Sequence, residues 1–138
     1  MEHIDFFKLQ AKNFLKDFRT KYWDEENECY QFKPNFFDDI DDIILGYDIY
    51  ENEPFSLMNS QHLIACMAGF HSWQELIHSN KYKLELGKLL FENRNMCIDG
   101  GFLELPTVWQ MYERNHLGGL DDQAKLGVFE VLFLNKND

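Results

Sequence analysis

The sequence predicts a mainly α fold, a single compact multi-helix domain over residues 1–138. Three observations carry that prediction. Apolar residues recur at three- and four-residue spacing through most of the chain, the period of a helix buried on one face. Helix stops and starts are spelled out locally, most clearly by Gly69 and by Ser72 with Glu75 three residues on. A hydrophobic share of 45% with 16% aromatic residues supplies a core and excludes disorder as the main state.

Phe7, Ala11, Phe14, Phe18 and Tyr22 keep helical spacing with Leu15 beside them, opposite a basic ridge of Lys8, Lys12 and Lys16. This predicts a first helix over 4–22. An acidic linker follows, and Tyr30–Pro34 reads as an extended connector ended by proline. From Asn35 as N-cap, Phe36, Phe37, Ile40, Ile43 and Ile44 form a second helix ending near Gly46. Its acids fall on the outer face and in the first turn, where the helix dipole favours them.

Residues 59–79 predict a hairpin of two short helices, resembling a helix-turn-helix. Leu63, Met67 and Phe70 are the buried stripe of its first helix, Gly69 ends it, Ser72 caps the second, and Trp73, Leu76 and Ile77 are the second stripe. Leu86, Leu89, Leu90 and Asn93 place a helix over 81–94. A small β-hairpin is a candidate near 96–105, because Asp99-Gly100 suits a type I′ turn. Thr107 with Gln110 reads as a capping box opening a helix that carries Val108, Trp109, Met111 and Tyr112 and stops at Gly118-Gly119. Residues 121–135 are ambiguous between helix and strand, and Asp121 as N-cap tips them to helix.

Leu57, Ser60-Gln61, Ala65, Gly69-Phe70, Ser72-Trp73 and Leu76 resemble the bacterial pattern L-S-x-S/A-Q-x-x-x-A-x-x-x-G-F-x-S-W-x-x-L. That pattern is similar to the helical module called the glyoxalase-related protein domain, and to segments of some bacterial ankyrin-repeat proteins. The resemblance covers about 20 residues and implies a helical hairpin, not glyoxalase chemistry. Met58 stands where the pattern has a serine, so Asn59 is expected to cap the first helix, or its start slips by one.

Composition narrows the function classes. No basic leader and no apolar run long enough to span a bilayer is visible, and Cys29, Cys66 and Cys97 are odd in number and scattered. A cytoplasmic protein is expected. The net charge of −11 is uneven: residues 1–21 carry five bases against three acids, residues 22–80 carry 12 acids against Lys33 alone, and residues 81–138 carry seven bases against nine acids. Such a block disfavours nucleic acid and anionic membranes and favours a basic partner. The second helix of the hairpin offers Gln74, Glu75 and His78 but no Lys or Arg to meet phosphates, so DNA binding is not expected.

Two Glu-x-x-His pairs, Glu75/His78 and Glu113/His116, are the candidate metal ligands, as such pairs serve di-iron helix bundles. No nucleophile elbow or phosphate loop is present, His62 and Cys66 lack an orienting third group, and no cofactor motif is found. The candidate partner-binding residues are Trp23, Glu25, Glu26, Tyr30, Asp38, Asp39, Asp41 and Asp42, which join a charged field to rigid aromatic anchors. Size, charge and compartment match bacterial or phage inhibitor and immunity-type modules that bind a basic protein. A carboxylate–histidine metal protein and a small-molecule-binding regulatory domain with a pocket in its aromatic core stay open beside that reading.

Overall fold

The computed structural model describes residues 2–49, 54–98 and 103–134. Among them the order is α1 (Glu2–Phe18), β1 (Tyr22–Asp24), β2 (Cys29–Gln31), α2 (Ile40–Gly46), α3 (Leu57–Met67), α4 (Trp73–Ile77), α5 (Lys81–Glu92), β3 (Cys97–Ile98), β4 (Leu103–Glu104), α6 (Leu105–His116) and α7 (Asp122–Leu134). The chain is mainly helical, as the apolar spacing requires. It divides into an N-terminal unit, Asp5–Ile64, and a C-terminal unit, Ala65–Asp138 together with Met1–Ile4. No described helix is long and apolar enough to cross a membrane.

In the N-terminal unit the apolar stripe of α1 buries Phe7, Ala11, Phe14 and Phe18. Phe14 and Phe18 anchor a cluster of rings, with Phe37 5.3 Å from Phe14, Phe32 5.6 Å from Phe18, and Phe55 4.5 Å from Phe18. The first helix stops at Phe18, four residues short of its expected end. Thr20 turns the chain there: its hydroxyl donates to the Asp17 carbonyl at 2.6 Å and accepts the Lys33 N–H at 2.8 Å. Tyr22 therefore leaves the helical stripe and lies exposed in β1. The segment expected to be only an extended connector pairs instead, in antiparallel register Tyr22↔Gln31, Trp23↔Tyr30 and Asp24↔Cys29.

Asp17 is wholly buried on α1. Its carboxylate accepts the backbone N–H groups of Asn35 at 2.8 Å, Phe36 at 3.0 Å and Phe37 at 2.6 Å. The N–H groups at 35–37 are thus held by a side chain of α1 and not by an Asn35 cap, and α2 starts at Ile40 with Asp39 in the cap position. Ser60 of α3, buried like Asp17, donates to the Ala11 carbonyl at 2.6 Å. The start of α3 also differs from expectation: Ser56 caps it, its hydroxyl accepting from Asn59 N–H while the Asn59 side-chain oxygen accepts the Ser56 N–H at 2.9 Å. Asn59 is thus the returning member of a reciprocal cap and not the cap itself.

In the C-terminal unit, α3 closes as the glycine predicts. Gly69 has φ +88°, its N–H meets the Cys66 carbonyl at 3.0 Å, and Phe70 N–H meets the Ala65 carbonyl at 2.9 Å. This pair of bonds is the Schellman closure. Ser72 then caps α4 by accepting the Glu75 N–H at 3.0 Å, and Asn80 caps α5 by accepting the Lys83 N–H at 2.9 Å. Strands β3 and β4 pair antiparallel within the expected hairpin, while its Asp99-Gly100 turn lies outside the described residues. Helix α6 opens at Leu105, with Glu104 in the cap position, so the Thr107–Gln110 box does not form its start. Strand β4 runs straight into the helix, and Pro106, lacking an N–H, fits a first turn where none is needed. Asp121 caps α7 through the Ala124 N–H at 2.8 Å, as expected. Leu86, Leu90, Leu105, Trp109, Leu117, Leu126 and Phe129 form this unit's core, with the Trp109 and Phe129 rings edge to face at 5.1 Å.

Two stability predictions follow from these contacts. Asp17→Ala strands three N–H donors, each worth about 1–3 kcal/mol, so urea unfolding should show a loss of about 3 kcal/mol or more. Asp17→Asn, which keeps one acceptor oxygen, should cost less. Gly87 of α5 tests packing: a Cβ there would stand 2.8 Å from Phe70 Cε2 and 3.1 Å from the Ala68 carbonyl oxygen. Alanine normally favours a helix by about 1 kcal/mol over glycine. Here overpacking should outweigh that gain, and Gly87→Ala should lower stability by about 1 kcal/mol net.

Candidate functional site

The N-terminal unit carries the expected partner-binding residues, and the β1–β2 hairpin organises four of them. Trp23 and Tyr30 stand directly opposite across the strands, their rings edge to face at 5.2 Å. Cross-strand aromatic pairs of this kind stabilise a short ribbon that backbone bonds alone would leave marginal. The Lys21 ammonium sits 4.7 Å from the Tyr30 ring centre, and the Lys33 ammonium 5.1 Å from that of Tyr22. Trp23 nevertheless stays 51% exposed, which is unusual for so large an apolar ring.

The turn between the strands is built by one acid so that others face solvent. Asp24 accepts the N–H of Glu26 at 3.0 Å and the side-chain amide of Asn27 at 2.7 Å. Glu28 takes the left-handed conformation, φ 52°. The amide of Asn27 and its backbone N–H, with that of Glu26, hold the Asp24 carboxyl below the ordinary range. Glu25 and Glu26 are exposed beside it.

The remaining four acids cluster at the start of α2. Asp38, Asp41 and Asp42 are exposed, and Asp39 is half-buried in the cap position. Exposed rings accompany them: Phe36 is 51% exposed while its neighbour Phe37 is core, so of that aromatic pair one anchors the fold and one faces out. Sequence reasoning missed the two features that hold this surface in place, the Asp17 carboxylate and the strand pairing. Both had signals. Asp17 falls on the buried stripe three residues after Phe14, and the aromatic runs at 22–23 and 30–32 flank Asp24 and Asn27, which are turn formers.

The Glu-x-x-His pairs are engaged elsewhere. Glu75 accepts the His71 N–H at 3.3 Å and lies 3.2 Å from His71 Nδ1 and 3.7 Å from the Lys83 ammonium. Burial pushes its carboxyl up, but the His71 hydrogen bonds and the Lys83 charge outweigh that and lower it. His78 Nδ1 binds the Gln74 carbonyl at 2.8 Å, Glu113 pairs with the Lys125 ammonium at 3.1 Å, and the His116 ring packs on Tyr112. Among the described residues, no three His, Cys, Asp or Glu side chains gather to hold a metal ion. Burial raises the Cys66 thiol above its usual value, which disfavours the nucleophilic thiolate. Beside Trp109 the space lined by Phe70, Gly87 and Leu90 is about 40 Å³, room for water but not for an organic ligand.

The Asp24 turn sets a pH dependence. A carboxyl whose folded value is lowered contributes stability above its unfolded value and loses it as pH falls through the lowered folded value. Acidification should therefore move the Glu26 and Asn27 amide signals together, with a midpoint below the ordinary aspartate range. Asp24→Ala should abolish the concerted shift and raise Trp23 mobility, read by fluorescence anisotropy.

No protein-family model, curated protein or solved structure matches the chain.

Proposed function

We propose that this is a non-enzymatic cytoplasmic interaction module, of inhibitor or immunity type, that docks on a basic protein through the acidic surface of its N-terminal unit. The observation that supports the reading most is the exposure of Trp23 on a hairpin whose turn presents Glu25 and Glu26 to solvent. Trp23 braces the ribbon through Tyr30 yet leaves half of its surface open to a partner. A second acidic group, Asp38, Asp41 and Asp42, stands exposed in the same unit next to the outward-facing Phe36. Acids steer a basic partner over a Debye length, and aromatic anchors then set how long it stays.

The two parts of the surface should separate kinetically. Against a partner recovered from the native cell, reversing Asp38, Asp39, Asp41 and Asp42 to lysine should slow association at least tenfold and flatten its salt dependence, with the fold intact by circular dichroism. Trp23→Ala should leave association nearly unchanged and speed dissociation about 30-fold, the loss of about 2 kcal/mol expected at a central aromatic anchor. If the fourfold reversal recovers the same partner with the same salt tolerance, the acids serve solubility alone and the reading fails.

A further inference from the structure

We propose that the C-terminal unit holds a binding site for a small organic oxyanion, an anionic head on an apolar body, in a cavity of about 490 Å³. The cavity is formed by the first residues of α1 and the connection from α4 into α5, and it lies within the range of small-ligand pockets, roughly 300–1,000 Å³. Its lining divides by chemistry. Ile4, Ile77 and Leu84 supply apolar surface, with Leu84 buried and the two isoleucines half-buried. His3, His78 and Lys81 supply nitrogen donors.

The geometry of His78 makes it more than a bystander. A carbonyl only accepts, so the 2.8 Å contact from Nδ1 to the Gln74 carbonyl fixes a proton on Nδ1. Nε2, on the far side of the ring, is then the atom left to meet a ligand. When Nε2 also carries a proton it is a charge-assisted donor to an oxyanion. Lys81 adds a permanent cation, its ammonium 5.0 Å from the Tyr82 ring centre. Ser79, also on the lining, donates its hydroxyl proton to the Glu75 carbonyl at 2.6 Å. Glu2 is the acid on this lining and opposes the anion.

Three nitrogen side chains around an apolar floor fit a phosphate monoester or a carboxylate that carries a hydrocarbon group. Either head offers the same oxyanion chemistry, and the probes tell them apart. The experiment follows the His3 and His78 ring signals and the Lys81 amide by NMR while the full chain is titrated with phenyl phosphate, benzoate, inorganic phosphate or benzylamine. Phenyl phosphate or benzoate should bind saturably, and the tighter of the two identifies the head. Inorganic phosphate, with no apolar body, should bind at least about tenfold more weakly. Lys81→Gln and His78→Gln should each weaken binding about fivefold or more, and Glu2→Gln should tighten it about twofold. Ile77→Ser should weaken phenyl phosphate but not inorganic phosphate. The proposal is overturned by the absence of saturable shifts up to about 10 mM. Equal binding of benzylamine, or unchanged affinity in both Lys81→Gln and His78→Gln, overturns it as well.

Discussion

The N-terminal unit depends on one carboxylate. Asp17 is fully buried, and a buried charge is tolerated only when its oxygens are well supplied with donors. Three consecutive backbone N–H groups supply them. The bonds run from the last turn of α1 to a segment 18 to 20 residues further on, so they close the loop that contains the hairpin. Thr20 adds a second tie by joining the end of α1 to Lys33. The hairpin is therefore fixed at both ends even though its own strands are three residues long. Among the described residues, no buried side-chain nitrogen or oxygen lacks a hydrogen-bond partner, so the burial of Asp17 leaves nothing uncompensated nearby.

The same carboxylate explains how an acidic chain keeps its acids outside. With residues 35–37 turned toward Asp17, the helical segment shortens to Ile40–Gly46. Ile40, Ile43 and Ile44 then face the interior, and Asp41 and Asp42 point to water in the first turn. In the hairpin Asp24 takes the local donors, which frees Glu25 and Glu26 from any structural duty. The acids that hold the fold, Asp17 and Asp24, are thus different residues from those that face solvent, Glu25, Glu26, Asp38, Asp41 and Asp42. Charge reversal at the second group can be made without touching the first.

The C-terminal unit is organised differently, by capping and apolar packing. Gly69, Ser72, Asn80 and Asp121 each fix a helix end through local bonds, and all four are residue types chosen by backbone geometry. Gly69 and Ser72 are accounted for by helix ends, and Ser60 by its bond to the Ala11 carbonyl. The two histidine pairs illustrate the converse. Their spacing puts each glutamate and histidine on one helix face, but Glu75 lies against His71 and Lys83, and Glu113 against Lys125.

The sequence by itself determined what is decided within about four residues along the chain. Helical period, the glycine stop at 69, the caps at Ser72 and Asp121, the candidate hairpin at 96–105 and the acidic block were legible because each rests on local sterics, local hydrogen bonds or composition. So were the eight candidate partner-binding residues as chemical types. Only the tertiary structure decided where α1 stops, that Tyr22–Asp24 pairs with Cys29–Gln31, and that α2 begins five residues after Asn35. Those outcomes rest on Asp17 meeting backbone N–H groups far along the chain and on Thr20 meeting Lys33. Bonds of that kind leave no period in the sequence, and they are what turns Trp23 from an expected linker residue into an exposed ring on a fixed hairpin.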